Sequence, residues 1–162
     1  MKNSFIGSLF VGVGLSVVAA IAAADDAKDD AIKKDQKRLE GTWRVVALEV
    51  SGNKAEKGDA LKLTVVNGAD GTWSLLSEGQ EISKGTSTID PTKKPKTINN
   101  DHETGNQKGK KQYGIYKVEG DKWTVCMSPP DAAESDRPKD FTTKDTRNVI
   151  FVFERVKEEK KP

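Results

Sequence analysis

The sequence predicts an all-β domain: eight short antiparallel strands packed either as a barrel or as a two-sheet β-sandwich, which composition alone does not separate. Three observations lead there. From Thr42 onward, short runs rich in β-branched and aromatic residues alternate with clusters of Gly, Asn, Asp and Pro. Trp123, Val125 and Met127 alternate with Thr124, Cys126 and Ser128, as a strand with one apolar face requires. Helix-like sequence is confined to the stretch before Leu39.

The chain opens with Lys2, an apolar run from Phe5 to Ile21 and Ala22-Ala23-Ala24 ahead of Asp25-Asp26. This order predicts a secretory signal peptide over residues 1–24, cleaved before Asp25. The competing reading is a membrane anchor, because the apolar run is near the lower limit for a span. The small residues and the abrupt acidic run favour cleavage. Lipid attachment is excluded at that site, which has no cysteine. Roughly 140 residues then remain, enough for one domain with its own core. The formal net charge of +2 falls by one with the loss of Lys2. So balanced a surface predicts no general attraction to nucleic acid or anionic membrane. Cys126 is the single cysteine, so no internal disulfide can form.

Residues 25–38 read as a flexible tether leading into a short helix over Asp30–Leu39. Asp30 stands as N-cap, and basic residues come late, where the helix dipole favours them. The strands follow as Thr42–Val50, Leu61–Val66, Thr72–Ser77, Ile82–Ile89, Lys96–Asp101, Gln112–Glu119, Lys122–Ser128 and Arg147–Val156. "NGADG" and "EGD" read as hairpin turns. The barrel domain is placed at 39–156 and a solvated charged tail at 157–162.

The stretch "STIDPTKKPKTINN", Ser87 to Asn100, reads almost as a mirror about a basic centre. Pro91 and Pro95 remove two backbone donors and fix φ, which ends one strand and delays the next. The expectation is a structural turn whose Lys93, Lys94 and Lys96 stand in water and guard an edge. In an up-and-down order this turn falls at the end marked by Trp43. The three longest loops, Ser51–Ala60, His102–Lys111 and Pro129–Thr146, fall at the other, where a ligand mouth is expected.

"LEGTWRVVALEVSG", Leu39 to Gly52, sets Gly41-Thr42-Trp43 at the start of the first strand, and "FVFERV" sets Arg155 at the end of the last. This resembles the lipocalin and wider calycin pattern. The resemblance implies that Trp43 plugs the closed end of the barrel and that Arg155 packs over it. A second copy, Gly71-Thr72-Trp73, follows a turn instead of a helix. From Leu39 to Arg155 the chain also resembles an uncharacterised family of exported planctomycete proteins. The matching stretches are "LEGTWRVV", "DPTKKPKTI", "GIY" at Gly114–Tyr116, Trp123–Cys126, and Arg137-Pro138 with Phe141. That family implies a lipocalin-like barrel and supplies no activity, hence no catalytic residue.

No catalytic constellation emerges from the residues themselves. "GNQKGKK" has the wrong glycine spacing for a phosphate loop and no Ser or Thr after its lysine. Asp101, His102 and Glu103 adjoin, but consecutive strand residues point to opposite faces, and no second histidine exists to complete a metal set. Cys126 has no base beside it in sequence and reads as a small semi-buried side chain. The expectation is therefore no enzyme, no cofactor and no metal. Tyr116, Val118, Trp123, Val125 and Met127 are the candidate cavity lining. The expected function is an exported, periplasmic or extracellular binding protein for a small, partly apolar molecule, with no nucleic-acid partner and no membrane attachment after cleavage. An envelope interaction or structural module with a filled barrel is the alternative.

Overall fold

Hydrogen bonding between the first and last long strands closes the sheet on itself. The computed structural model describes residues 16–55, 58 and 62–157. It contains helix α1 (Ser16–Leu39) and strands β1 (Gly41–Val50), β2 (Asn53–Ala55), β3 (Leu63–Asn67), β4 (Thr72–Ser77), β5 (Gln80–Asp90), β6 (Lys96–His102), β7 (Lys111–Glu119), β8 (Lys122–Met127) and β9 (Val149–Arg155). All pairings are antiparallel, in the order β1-β3-β4-β5-β6-β7-β8-β9, with β9 returning to β1. The protein is an eight-stranded, up-and-down, all-β barrel, and the sandwich alternative falls away. β2 is an added ribbon. It pairs with Leu48–Val50 after β1 has left β3, which pairs only with Gly41–Arg44.

The helix departs from expectation. Instead of a tether running into a short helix at Asp30, α1 is continuous from Ser16. The alanines around Ala24 have the highest helix propensity, and Asp29–Lys33 and Asp30–Lys34 are favourable i,i+4 pairs. Most of the signal-peptide segment and the charged tail beyond Lys157 lie outside the described residues. No helix of the described residues is long and apolar enough to cross a membrane.

The mirrored stretch is a hairpin written in register. Ser87 faces Asn100, Thr88 faces Asn99, Ile89 faces Ile98 and Asp90 faces Thr97. Asp90 Oδ1 accepts from the Thr92 amide at 3.0 Å and also from its hydroxyl, which turns the chain. One expectation for this turn fails. Lys93 and Lys94 are exposed, but Lys96 folds inward and its Nζ donates to Asp35 Oδ2. A buried carboxylate on the facing helix supplies a partner that the strand sequence alone does not reveal.

The inner faces form one core, led by Trp43, Val45, Ile89, Ile98, Tyr116 and Phe153, with Leu39 of α1 packed beneath. A smaller apolar cluster, Ile115, Cys126 and Ile150, sits on the outer face of β7–β9, covered by Phe141. The loop between β8 and β9 therefore lies against the wall of the barrel. Arg137 anchors it: the guanidinium donates to the carbonyls of Ile98 and Gly114 at 3.1 and 3.0 Å and lies 5.2 Å from the Tyr113 ring centre. A bulge at Val46 fits β1 to this arrangement. Val45 faces Phe153 but Ala47 faces Val152, so the outward set of side chains changes there. Glu49 then turns to the outer face and accepts from the Thr143 hydroxyl at 2.7 Å.

Candidate ligand cavity

The two ends of the barrel are built differently. At one end α1 lies across the opening as a plug. Its last carbonyls lack intrahelical donors, as at any helix C-terminus, and barrel side chains supply them. Trp43 Nε1 and Asn67 Nδ2 donate to the Leu39 carbonyl at 2.8 and 3.0 Å. Arg155 donates to the carbonyls of Glu40, at 2.7 Å, and Arg38. Its guanidinium lies 4.2 Å from the ring centre of Trp43, which is 0% exposed.

A charged group is buried in the same plug. Asp35 of α1 is 4% exposed. Burial by itself would raise its pKa, but hydrogen bonds from Lys96 and Tyr116 and the charges of Lys96 and Arg38 outweigh it. The carboxyl is held below its ordinary range. Tyr116 moves the other way: burial first, then its bond to Asp35, push the phenol well above its ordinary value.

The connections 103–110 and 128–148 and the described start of the first, 51–55, lie at the opposite end; most of the rest of the expected loop Ser51–Ala60 lies outside the described residues. Beneath them the barrel encloses a cavity of about 530 Å³, within the ~300–1,000 Å³ usual for small-molecule sites. Its floor is aromatic. Trp123 stacks on Phe153 at 4.5 Å and meets Trp43 edge-on at 5.8 Å. Val65, Leu75, Val125, Met127 and Phe151 form apolar walls, and Asn106, Gln107, Pro129, Pro130 and Arg147 stand at the mouth.

Of the residues expected to line a cavity, Trp123, Val125 and Met127 do so. Tyr116 and Val118 do not. They face the barrel interior, but below the cavity, where Tyr116 donates to Asp35 at 2.9 Å. Period-2 alternation gives the face of a side chain but not its height along the axis.

In sequence His102 stands out only as part of an incomplete metal set, and Gln107 and Gln112 carry no signal. His102, Gln107 and Gln112 line the cavity. His102 Nε2 bonds Gln112 Oε1 at 2.8 Å, and Gln112 Nε2 donates to the Ser128 carbonyl at 3.0 Å. Four buried side-chain atoms have no hydrogen-bond partner among the described residues: Trp73 Nε1, Trp123 Nε1, His102 Nδ1 and Gln107 Oε1. All four belong to cavity-lining residues. A buried polar atom without a partner is uncommon and unfavourable. Here four residues around one hollow each carry such an atom, just behind the cavity surface.

Cys126 lies outside the cavity, 0% exposed beneath the β8–β9 loop. Burial, followed by the charges of Asp140 and Glu49, pushes its thiol up to about 12. It is too protonated and too enclosed to act as a nucleophile at neutral pH.

No protein family, curated protein or solved structure significantly matches the chain.

Proposed function

We propose that the protein is a non-catalytic binding protein that holds a small, partly apolar molecule inside a lipocalin-like barrel. The observation that carries this reading is the apolar-walled cavity of about 530 Å³, four of whose lining residues each hold a buried polar atom without a partner. Apolar burial would supply affinity, and those atoms would orient the ligand. The single histidine supports a non-catalytic role. Its ring is hydrogen-bonded to the Gln112 amide, not to a hydroxyl or carboxylate that it could activate. The filled-barrel alternative fits poorly with so large a hollow.

We further propose that the chain is exported and that the mature protein begins at Asp25, on the strength of the N-terminal sequence pattern. N-terminal sequencing of exported material should read Asp-Asp-Ala-Lys, whereas an intact Met1 in a membrane fraction would contradict it.

Binding is tested by titration with diphenylhexatriene, a hydrocarbon whose fluorescence rises in apolar surroundings. The protein should bind it saturably at one site, and Leu75→Trp, which fills the wall, should weaken binding at least tenfold. A folded protein that gives no saturable signal, or a signal insensitive to the filling variant, refutes the reading.

A further inference from the structure

The hydrogen-bond chain around His102 decides which nitrogen carries its proton. The Ser128 carbonyl can only accept, so the Gln112 amide must turn its Nε2 toward it. That orientation presents Gln112 Oε1, an acceptor, to His102 Nε2. Neutral His102 therefore holds its hydrogen on Nε2, and its Nδ1 is a lone pair. This Nδ1 is buried and has no partner.

The ring packed against His102 carries an unused donor. Trp73 faces Gly85 and Gly85 faces His102, so the three residues form one row across β4, β5 and β6. Because Gly85 has no side chain, the indole lies over it; a Cβ there would come within 2.8 Å of Trp73 Cζ2. The indole and imidazole meet edge-on with centres 5.0 Å apart. Trp73 is 8% exposed, and its Nε1–H is unpartnered.

No counter-ion accompanies this pair. Among the described residues, no Asp or Glu lines the cavity. Its one lysine or arginine is Arg147 at the mouth, which is held by both oxygens of Asp131 at 3.1 and 3.3 Å. A charged head group would give up its water without gaining an opposite charge.

We infer that Trp73 and His102 form a head-group site for an uncharged group that both accepts and donates, an alcohol hydroxyl or a primary carboxamide. The inference rests on the binding reading above. Trp73 Nε1–H donates to the oxygen of the head group, whose own O–H or N–H donates to His102 Nδ1. The apolar body of the molecule then lies against Val65, Val125 and Phe151. Both nitrogens are shielded from solvent, so the two rings must part slightly to admit the head group.

Calorimetric titration of the whole protein at pH 7.5 with 1-octanol, octanamide, octanoate and octylammonium tests this. Octanol and octanamide should bind roughly tenfold or more tighter than the two ions. His102→Phe and Trp73→Phe each remove one partner and keep a ring. Each should weaken octanol roughly three- to tenfold, the worth of one hydrogen bond, and should weaken diphenylhexatriene, which has no head group, by a smaller factor. Equal or tighter binding of octanoate or octylammonium overturns the head-group assignment, as does octanol affinity unchanged in both variants; binding of the hydrocarbon in either case leaves the broader reading standing. If neither the hydrocarbon nor any octyl compound binds, both readings fail together.

Discussion

The Tyr116 hydroxyl of β7 and the Asp35 carboxylate of α1, 81 residues apart, meet at 2.9 Å beneath the barrel. With Lys96 they tie the plug to the strands it covers. Asp35→Asn removes the charge but keeps the shape. It should destabilise the fold by about 1–3 kcal/mol near neutral pH, because the Lys96 ammonium and the Arg38 guanidinium lose their counter-charge. The pH dependence has a definite sign. The folded carboxyl sits below its unfolded value of ~3.9. Its contribution is therefore fully present above that value and is lost as pH falls through the folded one. Urea unfolding of the two proteins should show a constant gap from about pH 5 to 8 that closes under stronger acid. A gap that widens under acid would contradict the argument.

The lysines of the mirrored turn separate by the same logic. Lys93→Gln and Lys94→Gln together should change stability by under ~0.5 kcal/mol, as exposed substitutions usually do. Lys96→Gln alone should cost ~1–2 kcal/mol, because it leaves Asp35 buried with a weaker partner. A triple variant should show nearly all of its loss at the last position.

Arg155→Ala should cost about 2 kcal/mol or more, losing its packing on Trp43 and two helix-end carbonyl bonds at once. Arg155→Lys should recover little of that. An ammonium is a point donor, whereas the planar fork reaches both carbonyls while it covers the indole. Denaturant midpoints of the three proteins check the order. A lysine variant as stable as the parent would mean that charge alone matters there.

Gly85→Ala should destabilise the barrel by more than ~2 kcal/mol. Its Cβ would fall within 1.9 Å of the Asp101 carbonyl oxygen and 2.8 Å of the Trp73 ring, so backbone and indole must both shift. Trp73 emission in the variant should change even without ligand. A stable Gly85→Ala protein with unaltered emission would place the indole elsewhere.

Much of this fold could be read from the chain, because each strand is short, patterned and bounded by turn residues. Thr72–Ser77 has the same limits as expected, and the other main strands shift by no more than two residues at either end. β2 was illegible because three residues carry no period. The cavity was less legible than the barrel. Alternation put Tyr116 and Trp123 on inner faces but could not tell that one lies against the plug and the other in the floor. His102 and Gln112 look in sequence like the polar flanks of a loop, and only their pairing across β6 and β7 carries them inside. Gly85 was a usable sign: a glycine within a strand marks a close approach of something large.

Arg155 also says when the barrel can be finished. It is the last residue of the last strand, it completes the β1–β9 seam, and it caps carbonyls at the end of α1, including that of Arg38, 117 residues earlier. Closing the seam and seating the plug are one event, and neither can occur until the end of the domain is present. Contacts so distant in sequence place folding toward the slow side of the single-domain range. In the interval β1 offers an unpaired edge to any neighbouring strand. A chain cut before β9 should therefore be an open sheet with two free edges, prone to join other copies, and not a slightly weaker version of the same barrel.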